Sequence, residues 1–135
     1  MDLTEAGWSV EHGQAVWQPK GPSRKGVTKG GGNDLAGEFL AGRNRDGRLF
    51  VQFSKTPFPI LTAQTTKSRW QIEIPVEKKR YTGAGKPPAR FAWLQFARAL
   101  AGEAPGAGWS WRREGQQFRL ENLTTGESVE GYLAE

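Results

Sequence analysis

Asp34-Leu35-Ala36-Gly37-Glu38-Phe39-Leu40-Ala41-Gly42-Arg43-Asn44-Arg45-Asp46-Gly47-Arg48-Leu49-Phe50-Val51-Gln52-Phe53-Ser54 is the stretch that decides the fold. Asp46-Gly47 supplies the positive φ of a tight hairpin, so Asn44 to Gly47 joins two antiparallel strands. The first arm separates Leu35, Gly37, Phe39 and Ala41 from Ala36, Glu38, Leu40 and Gly42. The second separates Leu49, Val51 and Phe53 from Phe50 and Gln52. Such period-2 alternation marks a sheet with one buried face. The glycines of the first arm let that sheet bend sharply.

The same pattern continues on both sides. Gln14–Gln18 reads as a short strand with Ala15 and Trp17 on one face, and residues 19–33 read as a basic, glycine-rich loop. Beyond the hairpin, Ile60–Thr66 is a strand, and Arg69–Pro75 sets Trp70, Ile72 and Ile74 against Arg69, Gln71 and Glu73. Val76–Lys86 reads as a break, because Lys78-Lys79-Arg80 and Gly83-Ala84-Gly85 interrupt the alternation. Pro87-Pro88 then opens a helix over Ala89–Ala101, which Gly102 stops. Its apolar stripe is Trp93, Phe96, Ala97 and Leu100, with Gln95 and Arg98 opposite, Phe91 also on that side and Leu94 on the flank. Trp109–Arg113, Gln117–Leu123 and Ser128–Leu133 are the closing strands. The expected fold is mainly β, a single domain over residues 1–135. It is a curved, unclosed antiparallel barrel of about eight strands with one lid or plug helix near 89–101.

Composition narrows the chemistry. With 135 residues the chain makes one core rather than two, and 36% hydrophobic with 24% charged residues is a globular balance. The absence of cysteine excludes disulfides, thiol catalysis and thiolate metal sites, and His12 as the sole histidine cannot build a histidine-rich one. No phosphate-binding loop, dinucleotide fingerprint or Gly-x-Ser-x-Gly elbow occurs. Ser9 is the serine nearest to His12, but that segment reads as a polar turn, and Glu38 and Glu73 read as outer-face carboxylates. The expectation is a non-enzymatic protein with no catalytic residue, metal or cofactor. Met1-Asp2-Leu3-Thr4-Glu5 shows no apolar secretory segment.

A formal charge of +5 permits an anionic partner. Basic residues from Lys20 to Arg48 and from Lys67 to Arg90, interleaved with Phe50, Trp70 and Tyr81, fit a single-strand nucleic-acid binder. Most strand aromatics, however, alternate in phase with the buried face. An apolar half-barrel capped by a greasy helix equally suits an acyl chain, since each buried methylene contributes roughly 0.8 kcal/mol. The same residues also suit a solid core. Pro57-Phe58-Pro59 puts an aromatic side chain in a turn beside Lys55, either exposed to a membrane surface or folded back over the rim.

Arg48-Leu49-Phe50-Val51-Gln52-Phe53-Ser54-Lys55-Thr56-Pro57-Phe58, Arg80-Tyr81-Thr82 and Arg90 to Gly102 resemble the bacterial lipoprotein-localization factors LolA and LolB. The resemblance covers about 55 residues at motif level. It implies an unclosed β-barrel with a helical lid, holding acyl chains of lipoproteins in transit to the outer membrane. It places Phe39, Leu49, Val51, Phe53, Trp70, Ile72 and Ile74 along a cavity, and Phe91, Trp93, Leu94, Phe96 and Leu100 on the lid. Pro57, Phe58 and Pro59 would form the membrane-contact loop. The partners so implied are acylated lipoproteins or lipids and a membrane surface, with no nucleic acid, for a monomer in the bacterial cell envelope. The shorter length, the poorly matching N-terminal half and the missing lipidated cysteine are departures from that family's pattern. Single-stranded nucleic acid is the competing partner.

Overall fold

The computed structural model describes residues 6–19, 34–56 and 58–134. Pro57 and, apart from Pro19, the basic loop expected at 19–33 lie outside them. The strands are β1 (Trp8–Gln18), β2 (Leu35–Asn44), β3 (Leu49–Lys55), β4 (Phe58–Thr65), β5 (Arg69–Ile74), β6 (Lys79–Ala84), β7 (Trp109–Glu114), β8 (Gln117–Asn122) and β9 (Ser128–Leu133). A 3-10 turn, Pro75–Glu77, links β5 to β6, and the helix α1 (Ala92–Leu100) lies between β6 and β7.

All nine strands form one sheet in the order β6-β5-β4-β3-β2-β1-β9-β8-β7, antiparallel throughout. β6 and β7 are its two unpaired edges among the described residues, so the sheet is curved but not closed. The central hairpin forms as its sequence requires: Gly47 has φ +100° and donates its N–H to the Asn44 carbonyl at 2.9 Å. Phe39 opposes Phe53 and Ala41 opposes Val51, which puts the four apolar side chains on the concave face.

Three expectations need correction. Residues 79–84 are not a break but a strand, giving nine strands where about eight were expected. Lys78 takes the left-handed conformation (φ 55°) after the 3-10 turn and reverses the chain onto β5. The cations that interrupt the alternation then sit on an edge strand, where charge discourages pairing with other chains. β1 begins at Trp8 rather than Gln14, because its first half pairs with β2 along Trp8 to His12 and needs no core side chain to hold it. The helix is one turn shorter at its start than expected, with Phe91 as its N-cap, and Gln95 is buried rather than facing solvent.

Backbones approach closely at β1 and its neighbours. A Cβ on Gly131 would strike the Gln14 carbonyl and come within 2.7 Å of the Ala15 Cα. Side-chain-free positions here let the backbones of β1 and β9 approach closely enough for the sheet to fold round the helix. Gly131→Ala is therefore expected to cost more than about 2 kcal/mol, read from the urea unfolding midpoint. Gly115→Ala, in open space at φ +61°, is expected to cost only about 1 kcal/mol.

Candidate functional site

The concave face holds most of the residues expected to line a cavity, and α1 fills it. Leu49, Val51, Phe53, Ile72, Trp93, Leu94 and Phe96 are at most 6% exposed. Phe39 is equally buried, and Trp70, Ile74, Phe91 and Leu100 are partly buried against the same cluster. Trp93 stacks on Phe53 with ring centroids 4.6 Å apart and meets Trp17 edge-on at 5.8 Å. Phe96 touches both Phe39 and Phe118. Sheet and helix are thus joined as one aromatic core, with the helix filling the concavity.

The helix is held at its ends as well as by its apolar faces. Gln95 donates to the Pro88 carbonyl at 3.3 Å and accepts from the Gly106 N–H at 2.6 Å, tying the loops before and after the helix together. Trp109 Nε1 donates to the Ala89 carbonyl, and Phe91 lies between Trp70 and Tyr81 at 5.4 Å from each. At the other end Arg43 donates to the Ala101 carbonyl at 2.9 Å. In the middle the Trp93 indole N–H is buried with no hydrogen-bond partner among the described residues. A buried unpaired donor costs about 1–3 kcal/mol, so this closed packing is less stable than its apolar contacts alone would make it.

One groove opens onto this concave side. It has a volume of about 340 Å³ and lies at the C-terminal end of α1, floored by Ala41, Ala97, Leu100 and Ala101. Glu11, Arg43 and Arg113 give it a charged margin, with Arg113 and Glu11 3.9 Å apart. Leu100 was foreseen here as a lid residue. Arg43 and Arg113 were not, because their neighbourhood is assembled from β2 and β7, far apart in sequence.

The opposite end of the strands carries exposed apolar side chains. Phe58 is 67% exposed at the start of β4, opposite Lys55, and Pro59 is exposed beside it. Phe58 therefore points outward and does not fold back over the rim. Val76, 70% exposed in the 3-10 turn that touches β4, joins it with Lys78 and Lys79 alongside. The charged residues that follow Val76 mask its exposure in the sequence.

Of the aromatics expected to serve a single-strand binder, Trp70 and Tyr81 face the core and Phe50 is half-buried on the convex face. Ser9 opposes Arg43 and His12 opposes Leu40, so the hydroxyl and the imidazole lie on opposite faces of β1. Glu38 and Glu73 are on the convex face, and Glu38 accepts a hydrogen bond from Thr56. The described residues contain no group of three His, Cys, Asp or Glu able to hold a metal, and no helix long and apolar enough to cross a membrane. No protein-family model matches the chain, and no curated protein matches it.

Glu127 closes the β8–β9 turn and accepts the Trp17 indole N–H at 2.9 Å. Burial raises its pKa above the ordinary 4.5, against the opposing effect of the Trp17 hydrogen bond. A carboxyl with a raised folded-state pKa favours folding below its unfolded value, and that advantage is lost as pH rises through the folded value. Glu127→Gln keeps an acceptor for Trp17 without the charge. Its urea midpoint is expected to exceed that of the parent at pH 7 and to converge with it below about pH 4.5.

Proposed function

We propose that this chain is a non-enzymatic binder of acyl chains, from lipids or lipoproteins, that uses the concave face of its unclosed sheet as the binding wall and α1 as a displaceable lid. The groove of about 340 Å³ beside the C-terminal end of α1 carries this reading, because it brings an apolar floor and a charged margin of Arg43, Arg113 and Glu11 to a place where the lid leaves the wall uncovered. An acyl chain entering there meets Ala41, Ala97 and Leu100 first and Arg43 and Arg113 at its polar head. Further entry replaces helix contacts with chain contacts at roughly 0.8 kcal/mol per buried methylene. The Gly/Pro segments at 83–88 and 102–108 supply the hinges for that movement, and the unpaired Trp93 N–H lowers its cost.

Leu49, Val51 and Phe53 run along β3 from the groove end to the Phe58 end, so one wall connects entry to the exposed apolar rim. Phe58 and Val76, with Lys55, Lys78 and Lys79 beside them, fit contact with an anionic bilayer, each cation contributing at most about 1 kcal/mol. Together with the sequence resemblance to LolA and LolB, this supports lipoprotein localisation in the bacterial cell envelope as the biological setting.

Titration with an acylated lipopeptide below its micelle threshold, followed by tryptophan emission, tests the binding step. A saturable change that survives high salt and is absent with the unacylated peptide is expected, and Leu100→Gln should weaken it about tenfold. An unchanged emission spectrum at saturating lipopeptide would show that the helix does not yield. Phe58→Glu is expected to reduce co-sedimentation with anionic vesicles while leaving the unfolding midpoint unaltered; equal sedimentation of both proteins would remove the rim from the mechanism.

A further inference from the structure

The convex face of the sheet carries a second groove, of about 360 Å³, that acyl binding does not use. Strand register builds it. Gln64 opposes Gln71, which opposes Thr82, so β4, β5 and β6 place three polar side chains in one row. Arg69 stands one residue pair further along the same face, and Arg48 closes the other side from the start of β3. These residues alternate with Leu49, Ile72 and Tyr81, which face the core. No carboxylate lines the groove.

The side chains of Gln64, Arg69, Gln71 and Thr82 have no hydrogen-bond partner among the described residues. Arg48 is anchored: its Nε bonds Asp46 at 2.9 Å and its guanidinium lies 5.3 Å from the centre of the Trp8 ring. The site therefore pairs a fixed cation with an uncommitted one across a floor of amide and hydroxyl donors. Lys67 extends over Gly47 at the same end and adds further positive charge.

We infer that this groove binds the phosphate group of a phosphate ester. Arg69 offers the planar two-point donor geometry that suits a phosphate, and Gln64, Gln71 and Thr82 supply neutral donors for the remaining oxygens. Trp70 lines the groove with its ring packed across Gly83 and against Phe91, a single partly buried aromatic where a polynucleotide needs successive faces on which its bases stack. A single headgroup or a soluble ester fills the groove without them. Both sources present the same chemistry.

Calorimetric titration of the full chain with glycerol 3-phosphate, alongside flotation with phosphatidylglycerol and phosphatidylcholine vesicles, tests the assignment. Saturable binding of glycerol 3-phosphate is expected, weakened on the order of tenfold by Arg69→Gln and unaffected by Arg112→Gln on β7. Vesicle binding that falls with Arg69→Gln would identify a lipid headgroup as the source, and binding of the soluble ester alone would identify a free metabolite. Gln71→Leu, judged against an unchanged unfolding midpoint, should weaken binding by a separate route. No saturable heat with the ester and no Arg69-dependent vesicle binding would overturn the assignment. So would equal losses in Arg69→Gln and Arg112→Gln, or binding only of single-stranded DNA with both arginines contributing alike. Because the groove lies on the face opposite α1, its failure would leave acyl binding on the concave side untouched, and the reverse holds too.

Discussion

The structure depends on the burial of α1 against the concave face of a single sheet. A lone antiparallel sheet with one apolar face has nothing to cover that face, and the described residues form no second sheet to do so. A nine-residue helix does the work instead, with Ala92, Trp93, Leu94, Gln95, Phe96, Ala97 and Ala99 all buried. Stacking of Trp93 on Phe53 and the contacts of Phe96 with Phe39 and Phe118 join strands that are far apart in the sheet order. Phe39 and Phe118 also meet directly, with ring centroids 5.6 Å apart, and the helix adds to that contact. The curvature allowed by Gly13, Gly37 and Gly131 serves this one contact.

The same arrangement makes the helix both a structural necessity and an obstacle. A short, mostly buried helix gains its stability from tertiary packing rather than from intrinsic propensity. Its fastenings are few and specific: Gln95 and Trp109 at one end, Arg43 at the other, and an unpaired indole N–H between them. A ligand able to supply equivalent apolar surface competes with the helix for one wall. Two distinct chemistries then share the sheet, apolar on the concave side and hydrogen-bonding on the convex side, because strand alternation keeps the two sets of side chains apart.

Legibility varied with the kind of signal. The hairpin around Asp46-Gly47 and the alternation in β3 and β5 were plain, since local turn chemistry and period-2 burial are properties of short segments. β6 was hidden because an edge strand beside the helix tolerates Lys79, Arg80 and Gly83, none of which looks like a strand residue. Gln95 was misplaced because its polarity suggested solvent, whereas two loops distant in sequence converge on its amide. The apolar wall was read correctly as a set of inward-facing residues. Whether that wall was empty or filled depended on how far the helix descends into it.

Sequence alone determined the antiparallel strands, the bent and glycine-interrupted second strand, the single late helix and the inward phase of Phe39, Val51, Phe53 and Ile72. Those follow from dihedral preference and periodicity, which act over a few residues. Tertiary structure decided that the concavity is occupied by Trp93 and Phe96, and that Phe58 and Val76 are exposed. It also decided that Arg48, Gln64, Arg69, Gln71 and Thr82 gather with Trp70 around one groove. The reason is physical: register and curvature bring together side chains from separate strands, and no local pattern encodes the distance between residues that meet only after the sheet has bent around its helix.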